Sequence, residues 1–521
     1  MNILFIMADQ WRADCLGSAG HPLVATPHLD ALAAQGVRCD RAFVQSAVCG
    51  PSRMSFLTGR YVHAHRSSWN GVPLPEDERT LDYYFSDAGY QVAGIGKVGY
   101  PADGERLPSL EAAGYDRARD RLAHPGSAWY ERQQGGYAGF LRAHGYNSAD
   151  PVNEFANTVI TPSGRMLSGW DFRAAPHPLR VRAEHSRPAF QTDLAMRFIK
   201  EAKQPWLLQL SYIEPHWPIV APAPYHAMYD RGQVPEPQRH PRELEHPLLE
   251  PFRTERRSRP LDSEWVWRSL RATYYGMMSL VDDQLGRLFH FLRAEGLWDQ
   301  TVIVFVSDHG EYLGDHWLFE KELFYEQAVR IPWIMRSPGR TFDATRGQAI
   351  EAFVESVDLV PTLLDLCGLP LGHRLQGRSL VPLLRGESPG DWRRAVVTDW
   401  DYRFYGVGER LGIPPQRRRA WMIRDDRFKY VHFLDLPPML FDLENDPAEL
   451  HNLAQSGSYQ DIIARKRLEL LEWRMAHEDP SRSEWLRRRK GSSGVAVPAD
   501  GTANYGPWGD PATEGVEEPI L

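Results

Sequence analysis

The chain has 521 residues, 42% hydrophobic and 25% charged, with a formal net charge of −8. That balance excludes a mini-protein, a broadly disordered chain and the basic surface of a nucleic-acid binder. Four cysteines, Cys15, Cys39, Cys49 and Cys367, lack the paired spacing of a disulfide framework or a cysteine zinc site. Apolar runs stay short of the roughly 18–20 residues of a membrane helix. Residues 1–8 are apolar but lack a basic flank and a small-residue cleavage site, so they read as a first strand, and the expected location is the cytoplasm, without membrane partners.

In chain order, residues 2–8 form an unbroken apolar run of the kind buried on both faces of a parallel sheet. Thr26 and Pro27 then open a helix that Gly36 stops, residues 85–90 end another, and residues 91–95 are a short strand. Residues 100–188 have weak periodicity and read as an insertion that shapes a substrate pocket. The alternation resumes with a helix at 192–202, a strand at 206–213, a long amphipathic helix at 264–295 and a strand at 301–306. The Arg-rich stretch 253–259 reads as a solvated loop. This pattern predicts an α/β catalytic domain over residues 1–390, its mostly parallel sheet sandwiched by helices. Short strands at 394–399, 421–424 and 429–433, with a helix near 459–477, predict a smaller α+β subdomain with an antiparallel sheet over 391–480. Residues 481–521 lack periodicity and form a tail; its Tyr505-Gly506-Pro507-Trp508 suggests an oligomerisation arm, with Trp508 buried against a second chain.

Strand ends supply the candidate chemistry. Asp9 and Gln10 follow the first strand, and Asp308 and His309 follow the strand 301–306 after Ser307. In a parallel sheet those carboxyl ends share one edge, where ligands bind. Two carboxylates, an amide oxygen and an imidazole suit Ca²⁺, Mn²⁺ or Mg²⁺.

Cys49-Gly50-Pro51-Ser52-Arg53 lies at the start of a helix, and several motifs follow it in order: Gly96-Lys97, Pro215-His216-Trp217-Pro218, Ser307-Asp308-His309-Gly310-Glu311, Lys321, and Leu440-Phe441-Asp442 with Glu449. Together they resemble the type I sulfatases of the alkaline phosphatase superfamily. The resemblance implies an alkaline-phosphatase-like fold and hydrolysis of small anionic esters, above all sulfate monoesters, at one divalent cation held by Asp9, Gln10, Cys49, Asp308 and His309. It also implies conversion of Cys49 to formylglycine by a formylglycine-generating maturation enzyme. The hydrated aldehyde offers one hydroxyl for attack and a second whose deprotonation expels the product, an exit that cysteine lacks. Arg53, Lys97, His216 and Lys321 would surround the nucleophile and the departing oxygen, with His216 a general acid. His63 and His65 read as supporting or surface residues.

Asp9-Gln10, where many arylsulfatases carry two acids, resembles phosphonate monoester hydrolases and choline sulfatases. So does the segment around Asn70, which makes Asn70 a substrate-binding candidate and phosphonate monoester or phosphodiester hydrolysis the competing activity. A non-catalytic anion-binding role is the third reading. Lys97 is sulfatase-like, whereas Gly99 stands where sulfatases usually carry His. A homodimer or homotetramer is expected.

Overall fold

The computed structural model describes residues 1–75, 77–98, 128–129, 136–239, 246–255, 257–340, 342–403 and 405–478. Gly99, much of the 100–188 segment and the tail with Trp508 lie outside these residues. Eight strands make one large sheet: β1 (Asn2–Asp9), β2 (Val37–Cys39), β3 (Gln91–Gly96), β4 (Ala128–Trp129), β5 (Trp206–Pro215), β6 (Thr301–Ser307), β7 (Trp333–Arg336) and β8 (Gln348–Ile350). Their spatial order is β8-β2-β7-β6-β1-β5-β3-β4. Only β7 runs antiparallel to its neighbours β6 and β2; the other pairings are parallel.

All eight residues of β1 are buried, and strand alternation sends them to two different cores. Ile3, Phe5 and Met7 face one layer with Val302, Val304 and Val306 of β6. Leu4, Ile6 and Ala8 face the other with Ile303 and Phe305. Helix α1 (Pro27–Ala34), α4 (Arg187–Glu201) and α5 (Glu264–Ala294) cover the second face. The first face carries α2 (Cys49–Thr58), α3 (Leu81–Asp87) and α6 (Leu359–Leu366). A strand buried on both sides needs the unbroken apolar composition that made β1 and β6 readable.

Thr26 does not cap α1 with its own side chain. Asp282 of α5 does so instead, accepting from His28 N and Leu29 N at 3.0 and 2.8 Å. Helix α4 begins at Arg187, before the expected start at 192, because Ser186 supplies the N-cap hydroxyl.

Strands β9 (Val396–Asp401), β10 (Arg419–Arg424), β11 (Phe428–Phe433) and β12 (Met439–Asp442) form an antiparallel meander. Met422, Val431 and Phe441 join the first core of the large sheet. Ile423, Tyr430 and Leu440 point the other way, onto Ile463 and Leu470 of α7 (Gln460–Ala476).

Among the described residues, no helix is long and apolar enough to cross a membrane. Two expectations change. Arg253 is buried and donates to His316 O at 3.1 Å, while Arg257 pairs with buried Glu320 at 2.5 Å, so these two arginines are structural and not solvated loop residues. His65 is fully buried with its Nε2 3.0 Å from Ser55 Oγ of α2, and His63 stacks on Trp421 at 5.5 Å, so neither is a surface residue.

Candidate active site

The carboxyl ends of β1, β6, β3 and β5 converge on one edge of the sheet, as parallel strands require. Ala8 pairs with Ser307, which puts Asp9 and Asp308 side by side one residue further on. At that point the β1–β5 register shifts, and Gln10 takes a left-handed φ of 69° that turns the chain out of the ladder. On β3, Gly96 has φ +84°, and a Cβ there would lie 2.0 Å from Ser211 O. Only glycine fits. This close approach lets Lys97 N donate to Ser211 O at 3.1 Å and holds Lys97 beside Asp9.

Cys49 is the first residue of α2, where the positive end of the helix dipole favours an anion. The preceding residue Val48 provides no side-chain cap. Asn70 caps the helix from a distance, its Oδ1 accepting Gly50 N at 2.6 Å, so half of its amide is committed to positioning the nucleophile helix. Ser52 Oγ donates to Asp308 O at 2.5 Å and ties the same helix to β6.

Ligand atoms of Asp9, Cys49, Asp308 and His309, all buried, lie within 4.8 Å of one another. His309 Nδ1 faces the carbonyl of Gly310 at 2.9 Å and must donate to it. Its Nε2 is therefore the atom turned to Cys49 Sγ at 3.1 Å, Asp9 Oδ1 at 3.5 Å and Asp308 Oδ1 at 3.7 Å. Burial pulls the His309 imidazole down, but Asp308 and Cys49 outweigh it and raise its pKa. Two carboxylates, an imidazole and a sulfur position, sharing one buried point, fit a divalent ion.

Arg53 braces this cluster. Its Nε donates to Asp308 Oδ2 at 2.7 Å and its guanidinium reaches Asp9 Oδ2 at 3.3 Å and Ser211 Oγ at 2.8 Å. A fourth contact goes to Lys97 O. With so many donors spent on protein groups, Arg53 acts by holding both carboxylates. Burial raises the Asp9 carboxyl, yet Lys97, His216, Arg53 and His309 together hold it well below the usual range. For Cys49, burial and Asp9 push upward and Lys321, Lys97 and His309 prevail, so the site favours an anionic nucleophile.

The opposite wall carries His216 and Lys321. His216 Nδ1 lies 2.5 Å from Trp217 O and must donate there, so Nε2 accepts from Lys321 Nζ at 2.8 Å. Lys321 also donates to Gln10 Oε1 at 3.2 Å. Gln10 is oriented by its amide NH₂, which donates to Glu311. Burial raises the Glu311 carboxyl to about 7. Lys321 sits between Glu320 and Glu322, both left-handed with φ 67° and 73°. Burial lowers the Lys321 ammonium, but Cys49, Glu320 and Asp9 more than restore it, and it stays protonated well above its usual range.

The structure therefore assembles Asp9, Gln10, Cys49, Arg53, Lys97, His216, Asp308, His309 and Lys321 in one place, with Asn70 at the α2 end. The sequence reading missed Ser211, hidden inside an apolar strand, and the orienting roles of Glu311, Glu320 and Arg257. Only Glu311 carried a signal, as the last residue of the Ser307-to-Glu311 motif. Cys15 and Cys39 are buried core residues and Cys367 is half-buried.

Residues 1–369 match the family model described as Sulfatase, and residues 314–476 match one described as N-sulphoglucosamine sulphohydrolase, C-terminal. The chain is 34% identical to the multifunctional alkaline phosphatase superfamily protein PehA of Trinickia caryophylli, over 92% of this chain and 96% of that one. It is 27% identical to an arylsulfatase of Clostridium perfringens, covering 89% and 92%. Among solved structures, the phosphonate monoester hydrolase of Agrobacterium radiobacter superposes with a TM-score of 0.80 at 31% identity, covering 92% and 96%.

Proposed function

The chain belongs to the sulfatase family of the alkaline phosphatase superfamily, and on that premise we propose that it is a hydrolase of monoanionic esters, with sulfate monoesters as substrate and Cys49, matured to formylglycine, as nucleophile. One observation carries this reading. Cys49 Sγ lies at a helix N-terminus, 3.1 Å from His309 Nε2, inside a buried cluster of two carboxylates and an imidazole. Asp9, Asp308, His309, the side chain at position 49 and the Gln10 amide oxygen would hold one divalent cation, Ca²⁺ or Mn²⁺ before Mg²⁺. When present, the cation and the hydrated aldehyde supply Lewis acidity and an acidified hydroxyl nucleophile.

The chain's own residues supply the rest. Arg53 pairs with both carboxylates and fixes them, and Lys97 pairs with the outer oxygen of Asp9. Lys321 Nζ donates to His216 Nε2, which places an ammonium donor where the ester's alcohol oxygen departs as negative charge develops on it. The amide NH₂ of Asn70, its oxygen already spent on Gly50, is the part left to contact a substrate oxygen.

A second reading, hydrolysis of phosphonate monoesters or phosphodiesters, is favoured by Gln10. An amide there leaves the site one negative charge poorer than an acid pair. The likeness to phosphonate monoester hydrolases, at a TM-score of 0.80 against 0.66 for a glucosamine disulfate-bound structure, points the same way. Sulfate monoesters, phosphonate monoesters and phosphodiesters each present one negative charge on a tetrahedral centre, so one site can process all three. Comparing kcat/KM for 4-nitrophenyl sulfate and 4-nitrophenyl phenylphosphonate, with Mn²⁺ throughout, orders the two. Higher efficiency on the sulfate supports the first reading, higher efficiency on the phosphonate the second, and turnover of neither defeats both.

A further inference from the structure

On the α5 side of the sheet lies a cavity that has His216 in its lining but none of the cation donors. Its walls include Val152, Trp170, Leu179, Arg187 at the start of α4, Ile213 near the end of β5 and Leu280 of α5. Most of this lining is apolar; its polar members are Asn153, Asn157, Ser186, Arg187, His216 and Glu214, the last on β5 two residues before His216.

The Glu214 Oε2 is buried and receives no hydrogen bond among the described residues. An unmet buried acceptor of this kind carries a desolvation cost that a ligand donor would remove. Burial raises the Glu214 carboxyl above the ordinary carboxylate range, with Asp9 adding to the rise and Arg187 opposing it. Trp170 of the lining meets Trp217, the residue after His216, edge-on at 4.5 Å. The cavity thus borders His216, on the leaving-group wall, and contains Glu214, whose Oε2 is an unmet acceptor.

We propose that this cavity receives the alcohol portion of the ester and that Glu214 determines specificity, selecting alcohols with an apolar or aromatic body whose far end carries a hydrogen-bond donor such as an ammonium or hydroxyl. The inference rests on the hydrolase reading above only for the identity of the bound molecule as a leaving group. Glu214 touches neither the nucleophile nor the cation donors; it acts on which alcohol is held.

The test pairs two aryl sulfates with similar phenol leaving groups, tyramine O-sulfate and 4-propylphenyl sulfate, on the matured, Mn²⁺-loaded enzyme. Calorimetric titration with the product tyramine provides a readout independent of turnover. The wild type is expected to favour the tyramine ester by about tenfold in kcat/KM, mainly through KM, as expected of one buried hydrogen bond in a specificity pocket. Glu214→Leu is expected to remove that preference and weaken tyramine binding by a similar factor, while Glu214→Gln, isosteric and still an acceptor, retains part of both. Equal kcat/KM values for the two esters in the wild type, or an unchanged ratio and unchanged tyramine affinity in both variants, overturn the assignment. Glu214-dependent tyramine binding without turnover of either ester leaves the subsite standing and removes the hydrolase reading; turnover without discrimination does the reverse.

Discussion

The two walls of the active site are built by different means. On the nucleophile side, every group rides on a regular element: Asp9 and Asp308 on adjacent strand ends, Cys49 and Arg53 on α2, Lys97 after β3. Buried ion pairs from Arg53 at 2.7 and 3.3 Å lock the carboxylates. On the leaving-group side, Lys321 is presented by a loop in which Leu313, His316, Trp317, Glu320, Glu322 and Leu323 all have φ between 48° and 73°. Non-glycine residues hold that conformation only where the surroundings impose it. Here the restraints are the Arg257–Glu320 pair at 2.5 Å, the Tyr405 hydroxyl on Glu322, and Lys429 donating to Phe324 O at 2.8 Å. One wall is a product of sheet topology, the other of long-range tethers, and the two should respond differently to substitution.

The largest expected effect is on the sheet-built wall. Cys49→Ala should lower kcat/KM by at least about 10⁴-fold for every ester, since the other groups act on a nucleophile it no longer supplies; steady-state kinetics on 4-nitrophenyl sulfate checks this. Lys321→Met should cost about 10²–10³-fold with poor leaving groups and much less with good ones. A plot of log kcat against phenol pKa should therefore steepen in that variant, which separates a proton-supplying role from a general loss of structure. Arg257→Gln probes a tether rather than a wall: kcat should fall about tenfold with little change in KM, and Arg257→Lys should restore most of it. Equal losses in kcat and KM would mean that the loop does more than position Lys321.

How the sheet-built wall was legible, and the tethered wall was not, follows from range. Strands β1 and β6 announce themselves through unbroken apolar runs, and the residues after them fall on one edge by topology alone. Strands β2, β7 and β8, with three, four and three residues, are too short for alternation to register. Arg257 finds its partner 63 residues away and Asn70 caps a helix 20 residues upstream. Nothing local distinguishes these from solvated polar residues. His65 is a similar case. Its Nδ1 accepts from Ser67 N at 3.2 Å, so it must stay neutral, and burial, then Arg60 and His63, depress it to about 3.

That last residue yields the smallest prediction. A histidine depressed in the folded state contributes stability above its unfolded pKa of about 6.5, and the contribution is lost as pH falls toward the folded value. His65 should therefore remove about 1 kcal/mol by pH 5.5, seen as a lower urea midpoint than at pH 7.5. His65→Gln should flatten that part of the profile. Because His65 buttresses α2, the acid-sensitive step should loosen the nucleophile side first.

The kinetic effects presuppose that position 49 carries an aldehyde in the working enzyme. Mass spectrometry of the tryptic peptide containing residue 49, from protein matured in its native host, tests this directly. The expected peptide is lighter than the cysteine form and is captured by a hydrazide probe; an intact thiol that alkylates with iodoacetamide, in protein that nevertheless turns over ester, would contradict the account.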